Sequence, residues 1–171
     1  MKKYINFSLA VVIVFLFNSC NWYDVSEEVP KNNPTGDYLY SSNSTYYSST
    51  DKVEYEGTNQ GSLLIDNYTS YLYIYITPNI GYSFEIQASN LDYKPEAKLT
   101  TFRISTQQIY LKDKTFNLGG ANGIEVLDTL GNVIGNYDGY FTADSVVFAY
   151  KSTNIENFEW TETITTAVTR N

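Results

Sequence analysis

The sequence predicts an all-β protein, built as a single antiparallel β-barrel or β-sandwich of about eight to ten strands. After an N-terminal leader, apolar and polar residues alternate with a period of two along most of the chain. The alternating runs are short, and glycine, proline, asparagine or aspartate separates most of them. Only residues 90–98 suit a helical turn, and Pro95 limits its length. Helical bundles and α/β folds are therefore unsupported.

The clearest hairpin joins residues 71–76 to residues 82–88. In the first run, three tyrosines share one face of the strand and three aliphatic residues share the other. Pro78 and Gly81 supply the turn, because proline presets φ and glycine permits a positive φ. The three tyrosines, which we call the tyrosine ladder, are Tyr71, Tyr73 and Tyr75.

The same alternation predicts the remaining strands in order, with tight turns at Gly131-Asn132 and Ala143-Asp144. Their ranges are 38–47, 53–56, 62–65, 99–105, 108–111, 114–118, 124–128, 133–137, 140–142, 145–150 and 158–168.

The chain is predicted to contain an export signal, a flexible tether and one β domain, in residues 1–19, 20–34 and 35–171. Lys2 and Lys3 precede an apolar run at 9–17, which is shorter than the roughly 20 residues that a membrane-spanning helix needs. The tether contains prolines and acidic residues without a sustained period. The remainder is long enough for a single domain with a hydrophobic core.

The only cysteine stands where the signal is expected to be cut, in Phe17-Asn18-Ser19-Cys20. This segment resembles the lipobox of bacteroidete-type outer-membrane lipoproteins. The resemblance implies that Cys20 carries a thioether-linked diacylglycerol, that the signal is removed before it, and that its new amine is acylated. At about 0.8 kcal/mol per buried CH₂, several acyl chains anchor a protein permanently. The alternative is an ordinary signal peptide followed by an incidental free thiol.

Acidic residues follow closely behind the cysteine, at Asp24, Glu27 and Glu28. They resemble the surface-export signal of the same lipoproteins, and a solvated acidic linker is the alternative. We therefore expect an exported protein that is lipid-anchored to the outer membrane, facing either the periplasm or the surface.

A second resemblance covers roughly the whole β domain. Residues 135–150, Gly-Asn-Tyr-Asp-Gly-Tyr-Phe-Thr-Ala-Asp-Ser-Val-Val-Phe-Ala-Tyr, and the long β tail after them look similar to small lipocalin-like (calycin-like) domains of bacteroidete lipoproteins. The resemblance rests on strand rhythm and glycine placement. It implies an up-and-down barrel with one open end and a ligand that is often unassigned.

Composition excludes several classes of function. Because the chain has His 0 and Cys 1, it has no imidazole base, no Ser-His-Asp or Cys-His pair and no intrachain disulfide. The formal charge of −8 argues against nucleic acid as a partner, and it becomes −10 once Lys2 and Lys3 leave with the signal. Asn136, Asp138 and Asp144 offer oxygen ligands without calcium-loop spacing, so we predict neither a metal nor a cofactor.

Aromatic rings are the first candidates for a ligand site. A ring face can stack on the C–H surface of a sugar while a tyrosine hydroxyl binds the sugar, so the tyrosine ladder and Trp160 are possible ligand-binding residues. The alternative for the ladder is cross-strand aromatic packing, at about 0.5–1.5 kcal/mol per pair.

Two charged residues are further candidates. Glu162 shares strand parity with Trp160, Ile164 and Val168, and a carboxylate on a buried apolar face would have the raised pKa of a general acid. If that face meets water, Glu162 is only a solvated residue. Arg103 is a candidate clamp for an anionic ligand, or else part of a surface ion pair.

Two tripeptides, Asp128-Thr129-Leu130 and Asp144-Ser145-Val146, resemble the O-glycosylation acceptor of exported bacteroidete proteins. The resemblance makes Thr129 and Ser145 possible glycosylation sites.

Three functions remain open at this point. The favoured one is a non-enzymatic lipoprotein that binds a small molecule, glycan or lipid. The second is a structural, adhesin-like or accessory module with a protein partner. The third is a carboxylate-based hydrolase, which would need a second acid about 5–5.5 Å from Glu162 for retention or about 6.5–9.5 Å for inversion.

Overall fold

The computed structural model describes residues 33–68 and 70–170, which form twelve β-strands and no helix. The strands are β1 (Gly36–Tyr47), β2 (Val53–Tyr68), β3 (Tyr71–Pro78), β4 (Phe84–Lys94), β5 (Leu99–Ile104), β6 (Gln107–Leu111), β7 (Lys114–Gly120), β8 (Ile124–Leu127), β9 (Val133–Tyr137), β10 (Gly139–Phe141), β11 (Ser145–Asn154) and β12 (Trp160–Thr169). Residues 90–98 contain no helical turn, because β4 continues to Lys94 and a short turn follows it.

Hydrogen-bonded pairing closes the sheet into a ring. Its order is β1, β2, β3, β4, β5, β10, β11 and β12, which returns to β1, and β7 and β6 extend the sheet from β11. Each neighbouring pair is antiparallel. The prediction of an all-β antiparallel fold is confirmed.

Two positions in the ring are each filled by two short strands placed end to end. β11 pairs with β10 through residues 146–148 and with β7 through residues 150–154, so β7 and β10 are halves of one barrel strand. β6 continues β5 beside β4, where the Gln107 side chain accepts a hydrogen bond from the Gln87 N–H and donates one to the Glu85 carbonyl. The meander is therefore an up-and-down barrel.

The β8–β9 hairpin is inserted between the two halves of that barrel strand. It packs on the outer wall, where Ile124 and Val126 form a small buried cluster with Leu99 and Ala149. Ala149 is completely buried, although its side chain points away from the barrel interior.

The main hydrophobic core fills one end of the barrel, which we call the closed end. Tyr38 helps to seal it, because the Tyr38 hydroxyl donates a 2.7 Å hydrogen bond to the Pro34 carbonyl. β1 begins and β12 finishes at this end, where Tyr38 lies opposite Thr169. The largest fully buried side chains of this core are Tyr38, Leu63, Ile65, Leu72, Ile74, Ile86, Phe102, Leu118, Phe141, Val146 and Phe148.

The structure corrects the prediction of separate strands at 53–56 and 62–65, because β2 is continuous. The intervening glycines face the barrel interior instead of forming a turn. A Cβ atom on Gly61 would overlap the Thr77 carbonyl oxygen of β3 and lie 2.9 Å from Tyr40 Cε1, and one on Gly57 would lie 3.4 Å from Tyr46 Cε2. The bare backbone thus leaves room for the close approach of β3 and for the inward tyrosine rings of β1.

Candidate functional site: a cavity at the mouth of the barrel

The barrel is open at the end opposite the closed end, where β1 reaches Tyr47 and β12 begins at Trp160. A cavity of about 300 Å³ lies inside this opening, and we call it the mouth cavity. Among the described residues that line it, none carries a charged side chain. This volume is at the lower end of the range for small-molecule sites, about 300–1,000 Å³.

One wall of the mouth cavity is rich in hydroxyl groups. β1 and β12 lie side by side here, and their inward residues include Ser42, Ser44, Thr163 and Thr165. Ser44 Oγ and Thr163 Oγ1 are 2.9 Å apart and share a hydrogen bond. Since a hydroxyl has two acceptor lone pairs and one donor, this pair can still bond to a ligand.

Tyr150 stands on the same side, directly across from Thr163 on β12. Burial raises the pKa of the Tyr150 phenol, and the hydrogen bond with the Thr163 side chain opposes that shift only in part. The phenol is therefore neutral at physiological pH and available as a hydrogen-bonding group.

The opposite wall is apolar. It is formed by the end of β3, the start of β4 and the β6–β7 hairpin, and its residues are Ile76, Phe84, Ile109, Leu111 and Phe116. Phe84 also meets the Tyr150 ring edge-on, with the ring centroids 6.0 Å apart. A cavity with one hydroxylated wall and one apolar wall suits an uncharged amphipathic molecule.

A second depression of about 440 Å³ adjoins the cavity, and we call it the rim groove. The two share Tyr46, Phe116 and Thr161 in their linings. The groove also contains two aromatic stacks: Tyr46 with Tyr55 at a centroid distance of 4.1 Å, and Tyr47 with Trp160 at 3.7 Å.

Both faces of the Trp160 indole are occupied. Tyr47 stacks on one face with the planes 6° apart, so Lys151 Nζ, 3.6 Å from the indole centroid, must lie over the other face. The indole Nε1–H donates a 2.8 Å hydrogen bond to Asp51 Oδ1. Trp160 therefore has a structural role beside the mouth, and it offers no free ring face to a ligand.

The tyrosine ladder lies on the outer surface of β3, while the aliphatic residues between its members are buried in the core. Tyr73 meets Tyr68 edge-on at 5.5 Å, which is cross-strand packing on an outer face. Burial, followed by the charges of Glu85 and Asp66, raises the pKa of the Tyr75 hydroxyl. The ladder and the mouth cavity are thus separate surfaces.

Glu162 also points outward. Its neighbour Thr163 faces the interior and is buried, whereas Ile164 and Val168, which share the parity of Glu162, are 45% and 53% exposed. Glu162 lies opposite Lys151 on β11. The apolar stripe that includes Glu162 in the sequence is therefore an outer face, and the carboxylate does not enter the cavity.

Arg103 binds the base of the β8–β9 hairpin. Its guanidinium donates to Asn122 Oδ1 and, at 3.0 Å, to the Asn136 carbonyl, and it forms a 3.7 Å ion pair with Asp138 Oδ1. Its Cζ also lies 5.2 Å from the centroid of the Tyr137 ring. The guanidinium is therefore already paired within the protein, at the base of the hairpin and outside the mouth cavity.

The two glycosylation candidates differ in access. Thr129 is exposed at the tip of the β8–β9 hairpin, whereas Ser145 is half-buried with its Oγ 2.9 Å from Thr142 Oγ1. Beside Thr129, a hydrogen bond from the Asn132 side chain is the main cause that lowers the pKa of the Asp128 carboxyl.

Cys20 and its flanking residues lie outside the described residues.

Sequence reasoning did not find the hydroxylated wall, because serine and threonine in an alternating strand usually face water. One signal was available in β1, where Tyr40, Ser42, Ser44 and Tyr46 share a single parity. Large aromatic and small hydroxyl residues on one face are expected where a barrel interior is only partly filled.

No family model matches the chain, and no curated protein or solved structure matches it significantly. The described part of the chain has no helix capable of crossing a bilayer. Within the same residues, no group of three or more acidic or cysteine side chains is arranged to hold a metal ion.

Proposed function

We propose that this protein is a non-enzymatic, lipid-anchored lipoprotein of the cell envelope that binds a small uncharged molecule in the mouth cavity. The observation that carries the proposal is the lining of the cavity. It combines a wall of hydroxyl groups with an apolar wall, and none of its described side chains is charged.

The same lining favours binding over catalysis. Hydrolysis needs a positioned acid or base, or a nucleophile such as serine or threonine that a neighbouring base activates. The described part of the lining offers hydroxyls and the Asn59 amide but no carboxylate or amine to act as that base, and Glu162 lies on the outer wall. The site therefore supports a binding protein better than the hydrolase alternative.

The position of the N-terminal end of the barrel is compatible with a lipid-anchored binding protein. β1 begins at the closed end, so a tether from an acylated Cys20 would join the barrel opposite the mouth. The tether would then direct the mouth cavity away from the membrane that holds the lipid.

A binding screen tests the proposed site. The mature chain is titrated with monosaccharides, polyols and nucleosides while intrinsic fluorescence and the unfolding temperature are recorded. We expect the Gly57→Leu variant to lose binding, because its side chain projects into the cavity. The control Asn43→Leu, on the exposed outer face of β1, should bind normally. Binding by no compound, or equal binding by Gly57→Leu, would contradict the proposal.

Radiolabelled palmitate tests the anchor separately. We expect the native chain to incorporate the label and to sediment with membranes, and the Cys20→Ser variant to do neither. A Cys20→Ser protein that still sediments with membranes and is still labelled would argue against acylation at this residue.

A further inference from the structure

We propose that the mouth cavity and the rim groove form one continuous site for a neutral oligosaccharide, with a terminal sugar in the cavity and the following sugars along the groove. This inference rests on the proposed function and goes further, because it names the class of the ligand and its orientation in the site.

The two spaces are adjacent. The cavity of about 300 Å³ and the groove of about 440 Å³ share Tyr46, Phe116 and Thr161 as lining residues. A ligand that occupied both spaces would cross these three side chains. The combined site is therefore suited to a chain that is longer than one ring.

The hydroxyl groups argue for a sugar and against an acyl chain. Thr163 and Thr165 are almost fully buried, and their side chains, with Ser44, border the cavity. Ser44 and Thr163 already bond to each other, and a sugar would add hydrogen bonds through the remaining lone pairs of these hydroxyls, whereas an acyl chain would add none. Below the cavity, the barrel is filled by side chains such as Phe102 and Phe148, so a long acyl chain cannot extend inward.

Charge selects a neutral glycan. The cavity lining has no charged side chain among the described residues, and the groove contributes two acids, Glu54 and Glu159, and one base, Lys114. The whole chain is acidic, with a formal charge of −8. A polyanionic glycan would be repelled, whereas a neutral glycan carries no such penalty.

The groove offers a ring face that Trp160 cannot offer. Tyr55 stacks on Tyr46 through one face only, and its side chain is 58% exposed. A ring that is held flat by a partner on one side is a rigid platform for a sugar on the other. We therefore assign Tyr55 as the stacking residue for a sugar outside the cavity.

Calorimetry with neutral linear oligosaccharides of increasing length tests the inference. The series are built from glucose, mannose, galactose, xylose or N-acetylglucosamine, and decanoate represents acyl ligands. For at least one series, we expect affinity to rise about tenfold between the single sugar and the longer chain, the value of one aromatic contact.

Variants then test the roles of the groove and of the cavity separately. Tyr55→Ala should remove the gain with length and leave the single sugar unaffected. Tyr71→Ala, a similarly exposed tyrosine on the outer wall, is the matched control and should change nothing. Thr163→Val should weaken every member of the series by about tenfold, and Ser44→Ala is the second variant if Thr163→Val does not fold.

The outcomes separate this inference from the proposed function. If a single sugar or another small molecule binds in the cavity but no series gains affinity with length, or if Tyr55→Ala keeps the gain, the oligosaccharide inference is overturned while the cavity proposal stands. Binding of decanoate in place of every sugar also overturns it. If Gly57→Leu binds all ligands normally, the proposed function itself fails.

Discussion

Gly120 lies directly against the carboxylate of Asp138, so closely that a Cβ atom on Gly120 would overlap the carboxyl group. This contact occurs where β7 ends and β10 begins, on either side of the inserted β8–β9 hairpin. Asp138 is 6% exposed, and its two carboxylate oxygens accept backbone hydrogen bonds from Ile104 and Asn122 at 2.9 and 2.7 Å. One carboxylate thus joins the hairpin to the barrel wall.

Gly120→Ala is expected to destabilise the protein by about 2–3 kcal/mol, because the new methyl group forces the Asp138 carboxylate out of place. Gly119→Ala is the matched control, since a Cβ atom there would meet Thr106 Oγ1 at an ordinary 3.6 Å. Urea unfolding of both variants measures the difference. Equal midpoints would show that the Asp138 carboxylate moves at no cost.

Asp138→Asn is expected to cost about 1–3 kcal/mol, because an amide NH₂ cannot accept the backbone hydrogen bond that one carboxylate oxygen accepts now. Protection of the Ile104 and Asn122 amides in hydrogen exchange should fall at the same time. Glu125→Gln, on the exposed face of β8, is the control and should leave stability unchanged. Retained protection in Asp138→Asn would contradict this role.

Thr100→Val is expected to stabilise the protein by about 1 kcal/mol. The Thr100 hydroxyl is buried without a hydrogen-bond partner, and the replacement removes a desolvated polar group. The adjacent Thr101 is the contrast, since its hydroxyl donates a 3.2 Å hydrogen bond to the Asp92 carbonyl. Thermal unfolding should show Thr100→Val above the native chain and Thr101→Val below it; the reverse order would refute the argument.

Stability is expected to fall above about pH 10, the ordinary pKa of tyrosine. Burial raises the pKa values of the Tyr38, Tyr40 and Tyr150 phenols in the folded state. Their contribution is therefore fully present below pH 10 and is lost as the pH rises toward the folded-state values.

Circular dichroism between pH 8 and 13 checks this dependence. Relative to its own stability at neutral pH, Tyr150→Phe should unfold at a higher pH than the native chain, because it lacks the buried phenol that must ionise. Tyr110→Phe, at an exposed position, should follow the native curve. Identical curves for all three proteins would rule out Tyr150 as a source of the alkaline transition.

Alternation predicted most of the strands, because a strand with one buried face leaves a period of two in the sequence. The hairpin of β3 and β4 is the clearest case, with Leu72, Ile74 and Ile76 inside and the tyrosine ladder outside. The predicted break in β2 at Gly57 and Gly61 was wrong. A glycine in the sequence can mark either a turn or a strand position that leaves room for a neighbouring ring.

The sequence shows which residues of β12 share a face, but it does not show which face points into the barrel. Ile164 and Val168 look like core residues, whereas the inward positions are Thr163, Thr165 and Ala167. Closure of the barrel decides which face of β12 points inward. The small and hydroxylated residues face the interior, because the rings of β1 and β11 already occupy it.

The sequence by itself determined that the chain is all-β, acidic and without histidine, since composition and period are local properties. The proposal of a lipid anchor at Cys20 likewise rests on the sequence alone. Only the tertiary structure decided that the interior is filled at one end and open at the other, and that Glu162, Arg103 and the tyrosine ladder lie outside the mouth cavity. The physical reason is that a cavity depends on which faces of distant strands meet, and the pairing of β1 with β12 joins residues at opposite ends of the chain.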